Sequence, residues 1–202
     1  VLQQEVPNAT CLAAEDQPTP KCDALLMGCG IAENDDTYAD MMRLKATDAY
    51  QVWDAGALNL LAGHPQQLGA RAVITPHAGE AARLLGWEIP AVLSDKLGAA
   101  EALQAKYGCN VVHKSAVTVM LTADGQQCAL NAVGSPALAK GGSGDALAGI
   151  LASLLGQGLP MFDAMRAACL WLGLAGIAAG KRCGVRAALT GDVIDSLGAC
   201  EG

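Results

Sequence analysis

A glycine-rich segment that ends in a carboxylate is the part of this sequence best suited to chemistry. Residues 140–149 read Lys-Gly-Gly-Ser-Gly-Asp-Ala-Leu-Ala-Gly. Glycines allow consecutive backbone N–H groups to face one point, and apolar residues at helical spacing predict a helix over Ala146–Leu155. A glycine loop that opens onto a helix N-terminus favours anions, because free N–H groups and the helix dipole attract negative charge. The sequence therefore predicts a phosphate site at Gly142, Ser143 and Gly144.

Asp145, at the junction of this loop and the predicted helix, has two interpretations. A negative side chain weakens phosphate binding, so its presence suggests that Asp145 takes part in chemistry. Alternatively, Asp145 is only the N-cap of the helix, a position that aspartate favours. The loop by itself leaves both interpretations open.

The elements around this loop predict an α/β fold. Apolar runs alternate with helical patterns, which is typical of a doubly wound, mostly parallel sheet with helices on both faces. An Asp124-Gly125 turn adds an antiparallel hairpin near the edge. The predicted strands are Ala24–Met27, Tyr50–Trp53, Ala72–Thr75, Val111–His113, Ala116–Thr122 and Gln127–Asn131. The other predicted helices are Met41–Thr47, Ala57–Ala62, Glu80–Leu85 after a turn at Pro76–Gly79, Asp95–Tyr107 with Ser94 as its cap, Met161–Ala179 and a short one beginning at Thr190.

Polar residues follow the ends of the predicted strands, where α/β sheets bind their ligands. Asp54 and Lys114 occupy two such ends, and the segment Thr75–Glu80 occupies another. Each has a structural alternative. Asp54 is expected to cap the next helix rather than take part in chemistry, Lys114 suits a solvated strand end, and His77 suits a surface turn.

Composition limits the class of protein. The chain has 202 residues, of which 52% are hydrophobic, and it is predicted to form a single domain over residues 1–202 with a loosely structured lead-in at 1–22. A net charge of −7 argues against nucleic-acid or anionic membrane partners. The uncharged run Ala167–Gly180 suits a buried helix better than a membrane span. Without a signal peptide pattern, and with eight scattered cysteines, the protein is expected to be cytoplasmic.

Four sequence blocks resemble the ADP/ATP-dependent NAD(P)H-hydrate dehydratases, a branch of the ribokinase-like superfamily. They are Val52–Leu61, Ile74–Leu85, Val112–Thr118 and Asn131–Gly149. The segment Thr75–Glu80 discriminates best, because several kinases share the glycine loop. The resemblance extends over roughly Ala24–Leu197.

This resemblance implies that Asp145 is the catalytic base and contacts the substrate, a hydrate of NADH or NADPH (NADHX or NADPHX). Gly30 and His77 match the other substrate-binding positions. ADP or ATP, with Mg²⁺, is the implied phosphoryl donor, and Glu80 is a candidate for holding Mg²⁺ through water or for stabilising a helix N-terminus. A homo-oligomer is also implied. The implied nucleotide-binding residues are Lys114, Ser115, Ala116, Val117, Thr118, Gly142, Ser143 and Gly144.

The chain departs from the family pattern at three site positions. Cys29 replaces a usual proline, Ser115 a usual glycine, and Lys140 a usual threonine or serine, where it could pair with phosphate or reach solvent. Family members also begin with a strand, a glycine-rich turn and helices, so an N-terminal strand and helix unit is expected to be missing here. Two alternatives follow: an ATP-dependent vitamin-precursor kinase of the same fold, and a catalytically silent nucleotide-binding subunit.

Overall fold

A single mixed sheet runs through the part of the chain that the computed structural model describes, residues 21–200. Its six strands lie side by side in chain order, with β1 to β4 parallel and β5 and β6 antiparallel. This confirms the predicted mostly parallel sheet with an antiparallel hairpin at one edge. The predicted lead-in lies outside the described residues except for Lys21 and Cys22. The strands are β1 (Ala24–Met27), β2 (Tyr50–Trp53), β3 (Ala72–Ile74), β4 (Asn110–His113), β5 (Thr118–Leu121) and β6 (Cys128–Asn131).

Helices cover both faces of the sheet, as predicted. Side chains alternate along the strands, so Trp53 faces one helical layer while its neighbour Val52 faces the other. Helices α1 to α5 supply the first layer and α6 to α8 the second. The first layer comes from crossovers between successive strands, and the second from the chain after β6. The helices are α1 (Asp35–Lys45), α2 (Gly56–Gly63), α3 (Ala78–Leu85), α4 (Ile89–Ser94), α5 (Lys96–Tyr107), α6 (Ser143–Gly156), α7 (Met161–Cys183) and α8 (Thr190–Asp195).

Capping side chains move two helix starts away from the predicted positions. Helix α1 begins at Asp35 rather than Met41, because Asn34 Oδ1 accepts the Thr37 N–H at 2.9 Å and caps the earlier turn. Ser94 is not the cap of α5: it ends the unpredicted helix α4 and donates its hydroxyl to Ala91 O. Asp95 takes the cap position, since its Oδ1 accepts the Gly98 N–H at 2.8 Å.

Helix α7 is long and apolar enough by length and composition to cross a membrane, and among the described residues it is the one helix of that kind. One side of it lies in the core beneath the sheet, where Ala164, Met165, Ala168 and Ala175 are completely buried. Buried residues that pack on a sheet are typical of a core helix. The structure therefore agrees with the interpretation of this run as buried.

Candidate active site

A cavity of about 780 Å³ opens where the carboxyl ends of the central strands meet the N-terminus of α6. Its wall combines the strand ends with the glycine loop and with the chain between β6 and α6. Gly30 and Val117 lie outside this wall, and Gly30 is exposed at the turn after β1. The predicted site residues that line the cavity are His77, Glu80, Lys114, Ser115, Ala116, Thr118, Gly142, Ser143, Gly144 and Asp145.

The glycine loop forms the start of α6, three residues earlier than the sequence predicts. Gly142 is the N-cap residue, with φ +88°, and no side chain caps the helix. Asp145 therefore lies within the first turn, and its interpretation as an N-cap is wrong. The first N–H groups of a helix have no partner within that helix. The hydroxyl of Ser143 is also buried without a hydrogen-bond partner in the described residues, so this end of α6 offers donors to an anion.

Lys140 fastens the glycine loop to the chain after α7. Its Nζ donates to Arg186 O at 2.7 Å and to Ala188 O. Thr190 Oγ1 adds a bond to Gly141 O at 2.8 Å. Both expected roles of the Lys140 ammonium, pairing with phosphate or reaching solvent, are replaced by this contact with backbone carbonyls.

Lys114 and Asp54 form an ion pair beside the loop. Lys114 Nζ lies 2.6 Å from Asp54 Oδ1, and the two side chains are 17% and 2% exposed. The interpretation of Lys114 as a solvated strand end is therefore wrong. So is that of Asp54 as a cap, because Ala55 is the N-cap residue of α2 and no side chain caps that helix.

Asp54 is the site residue that sequence reasoning missed. Its carboxylate belongs to the cavity wall, next to the predicted nucleotide site. The available signal was an aspartate that directly follows a buried strand, Gln51 to Trp53, at the edge of the sheet where Lys114 also lies. Neighbouring parallel strands bring such ends together.

His77 and Glu80 form a capping box at the start of α3. His77 Nδ1 accepts the N–H groups of Gly79 at 3.0 Å and Glu80 at 3.3 Å, while Glu80 Oε2 accepts the His77 N–H at 2.8 Å. A parallel bridge between His77 and Lys114 extends the pairing of β3 and β4. The imidazole is therefore fixed at the cavity mouth, with its side chain 59% exposed. Glu80 has the helix-terminus role that the sequence allowed.

Cys29 brings a thiol next to two carboxylates. One ligand atom each from Cys29, Asp54 and Asp145 lie within 4.8 Å of one another. Burial, followed by a hydrogen bond to Asp145, raises the pKa of the Cys29 thiol to about 12. The neutral thiol is thus a hydrogen-bond donor to the carboxylate of Asp145. Gly28 makes this turn possible, since a Cβ there would lie 1.7 Å from Asp54 O.

The turn from β4 to β5 is closed by its own side chains. Thr118 Oγ1 donates to Ser115 O at 3.2 Å, and Ser115 Oγ donates to Val117 O. The hydroxyl that replaces the expected glycine is therefore used within the turn.

Comparison with known protein families shows which family this chain belongs to. The family model described as NAD(P)H-hydrate dehydratase matches residues 1–198. The chain belongs to the NAD(P)H-hydrate dehydratase family. This result agrees with the resemblance carried by the segment Thr75–Glu80 and the glycine loop.

Individual relatives of the dehydratase family agree. The bifunctional NAD(P)H-hydrate repair enzyme of Vibrio cholerae is 43% identical over 75% of this chain and 30% of its own length. The ADP-dependent (S)-NAD(P)H-hydrate dehydratase of Neisseria meningitidis is 37% identical over 77% of this chain and 54% of its own length. This chain therefore spans roughly a third to a half of these two relatives.

The ribokinase-like fold is shared with solved structures. The ADP/ATP-dependent NAD(P)H-hydrate dehydratase of Bacillus subtilis, co-crystallised with ATP and Mg²⁺ and soaked with CoA, superposes with a TM-score of 0.85. The match covers 98% of this chain and 74% of the other at 24% identity. At that identity the likeness establishes the shared fold.

The candidate site of this chain fits a phosphate-bearing nucleotide. Gly142, Ser143 and Gly144 at the start of α6 all line the cavity, and the Lys114 ammonium lies next to Gly144. A divalent cation fits less completely. Mg²⁺ prefers oxygen ligands, which Asp54 and Asp145 have, but Cys29 adds a thiol and Lys114 already holds Asp54 Oδ1.

Proposed function

We propose that this chain catalyses the nucleotide-dependent dehydration of NAD(P)H-hydrate back to NADH or NADPH. The observation that carries the proposal is the position of Asp145. Its exposed carboxylate stands in the first turn of α6, beside the donors of the glycine loop and inside the cavity. A base and an anion site that share one cavity suit phosphoryl transfer to a hydroxyl.

In the first step, Asp145 accepts the proton of the ring hydroxyl as the oxygen attacks the terminal phosphorus of ADP or ATP. The bond from that phosphorus to the bridging oxygen breaks, and the shortened nucleotide leaves. The N–H groups of Gly144 and Asp145, with the Lys114 ammonium, stabilise the charge on the transferring group. In the second step, the carbon–oxygen bond breaks, inorganic phosphate leaves, and a proton lost from the neighbouring ring carbon restores the double bond.

Local charge supports a requirement for Mg²⁺. The carboxylates of Asp54, Glu80 and Asp145 outnumber the ammonium groups of Lys114 and Lys140 in the cavity wall, and backbone carbonyls hold that of Lys140. A nucleotide adds further negative charge, which bound Mg²⁺ neutralises. Glu80 through water and the nucleotide phosphates would be its oxygen ligands, and Asp145 would remain available as the base.

The family membership supports a dehydratase over a vitamin-precursor kinase, which uses the same fold and the same base. Against a catalytically silent subunit, Asp145, His77 and Lys114 all line the cavity. The replacements at Cys29, Ser115 and Lys140 are each accommodated by hydrogen bonds.

Recovery of NADH from its hydrate tests the proposal. Purified protein with hydrated NADH, Mg²⁺ and either ADP or ATP should regain the absorbance of NADH. Asp145→Asn should lower the rate about 100-fold or more, as expected for loss of a general base. Asp163→Asn, at an exposed position on α7, is the matched control and should keep full activity. Nucleotide consumption only with an alcohol substrate would instead establish a kinase, and nucleotide binding without turnover a silent subunit.

We further propose that the protein works in the cytoplasm as a homo-oligomer with small-molecule partners. The thiols of Cys29, Cys109, Cys128 and Cys169 are free, which suits a reducing compartment. Large apolar side chains at Trp87 and Leu130 are exposed and suit contacts between copies.

A further inference from the structure

The ion pair between Asp54 and Lys114 is largely buried, with the lysine reaching the cavity wall. The ammonium lies 2.6 Å from Asp54 Oδ1, and the aspartate side chain is 2% exposed. Desolvation makes a buried ion pair weak as a source of stability. Its place in a cavity wall points to a role in the site rather than in the fold.

This ion pair lies directly against the glycine loop. A Cβ on Gly144 would be 3.0 Å from Lys114 Nζ and 3.6 Å from Asp54 Oδ2. Gly144 immediately precedes Asp145 in the first turn of α6. The ammonium is therefore next to the N–H groups that are proposed to bind phosphate.

Asp145 is a second carboxylate close to this ion pair. One oxygen of each carboxylate lies within 4.8 Å of the other. Among the described residues, however, Lys114 pairs within 4.0 Å only with Asp54 and, at 3.9 Å, with Glu80. The carboxylate of Asp145 therefore has no ion pair with Lys114 and keeps its hydrogen bond from the Cys29 thiol.

We propose that Asp54 is a positioning residue: it holds the Lys114 ammonium at the nucleotide phosphates and away from Asp145. Without its charge, the ammonium turns to the Asp145 carboxylate, so phosphate loses a cation and the base becomes paired. The part of this proposal that concerns Asp145 rests on the proposed function. The part that concerns the nucleotide rests on the site geometry alone.

A double-mutant cycle on ADP binding tests the nucleotide part. Calorimetry with ADP and Mg²⁺ should show that Asp54→Asn and Lys114→Met each weaken binding about tenfold or more. The double variant should bind within about threefold of Lys114→Met, because residues that act through one contact are not additive. Losses that add would overturn the proposal. Asp95→Asn, at a helix cap outside the cavity, should bind ADP normally.

The same variants separate an effect of Asp54 on the stability of the protein from its effect on the position of the Lys114 ammonium. The double variant carries neither charge of the Asp54–Lys114 pair, so neither member is left buried without the other. If Asp54→Asn does not fold, the comparison of Lys114→Met with the double variant still decides: equal ADP affinity supports the proposal, and weaker binding by the double variant contradicts it.

The rate at saturating nucleotide tests the part about Asp145. Asp54→Asn should be slower than Lys114→Met, and the double variant should recover the rate of Lys114→Met, because no ammonium is left to pair with the base. A double variant as slow as Asp54→Asn would refute this part. If the unaltered protein does not convert hydrated NADH, the proposed function fails, while the ADP cycle still decides the role of Asp54.

Discussion

Cys29 is held as a neutral thiol in the middle of a charged site. Burial is the first cause of its raised pKa, and the hydrogen bond to Asp145 and the negative charges of Asp145 and Asp54 add to it, while Lys114 opposes it. The thiolate is the reactive form of cysteine. A donor that stays protonated can direct the Asp145 carboxylate without becoming a nucleophile itself.

Because the Cys29 thiol is held in its neutral form, we expect it to be alkylated slowly. With a pKa of about 12, the thiol is almost entirely protonated at pH 8, so iodoacetamide should modify it far more slowly than the exposed Cys128. The rate at Cys29 should increase up to about pH 12, as long as the protein remains folded. Peptide mass spectrometry after timed labelling measures both sites in one sample. Equal rates for Cys29 and Cys128 at pH 8 would show that Cys29 is not held in the neutral form.

Helix α6 depends on glycine at its N-cap position for a conformational reason. Gly142 has φ +88°, and a Cβ there would make ordinary contacts with Thr190 at 3.4 to 3.6 Å. Strain rather than a clash therefore limits substitution at Gly142. Gly149, inside the same helix, has helical backbone and open space around its Cβ position.

The two glycines predict opposite effects of the same substitution. Gly142→Ala should lower the free energy of unfolding by about 1–2 kcal/mol, the cost of a left-handed conformation for an L-residue. Gly149→Ala should raise it by about 0.5–1 kcal/mol, because alanine loses less backbone entropy in a helix. Urea denaturation measures both. Destabilisation by both variants would mean that packing, and not backbone conformation, decides at these positions.

Local sequence predicts the elements of this fold better than it predicts their ends. Buried strands such as Ala72–Ile74 are continuous apolar runs, so their positions follow from the local sequence. The start of α1 depends on which side chain accepts a free backbone N–H group. Asn34 does so and caps the helix upstream of the apolar pattern from which the helix was predicted. The start of α6 depends on the left-handed conformation of Gly142, which hydrophobic periodicity does not indicate.

The site was predictable where residues are close in sequence and not where they meet through the sheet. The glycine loop and the segment Thr75–Glu80 are continuous, and both line the cavity. The pair of Asp54 and Lys114 joins the ends of β2 and β4, which lie on either side of β3. The periodicity of the sequence does not indicate which strands are neighbours in the sheet. Asp54 was therefore assigned to a helix cap instead of to the site.

The whole molecule divides into two hydrophobic layers, and His113 is a polar side chain in one of them. It is completely buried in β4, where Nδ1 lies 3.2 Å from Lys96 O and Nε2 has no partner in the described residues. Burial lowers the pKa of His113 from the ordinary value, and the charges of Lys96 and His77 act in the same direction, while the bond to Lys96 O opposes them. The native state therefore keeps His113 neutral in conditions where the unfolded chain binds a proton.

This predicts that the protein becomes less stable in mild acid. Above the ordinary histidine pKa, near 6.5, both states are neutral at His113 and its contribution is fully present. As the pH falls below that value, the unfolded chain takes up a proton that the native state does not. The free energy of unfolding should then decrease by up to about 1.4 kcal/mol per pH unit from this one group, until the pH passes the lowered native pKa.

Urea denaturation between pH 8 and pH 5 distinguishes His113 from the carboxylates that titrate at lower pH. His113→Leu, an apolar side chain of similar size, removes the titrating group from the core, so the slope between pH 6.5 and pH 5 should become shallower. His64→Gln is the matched control, because His64 is exposed and stacks on Tyr38. Its removal should leave the slope unchanged. A His113→Leu variant with an unaltered slope would mean that another group gains the proton on unfolding, since no other property of His113 links the stability of the molecule to pH in this range.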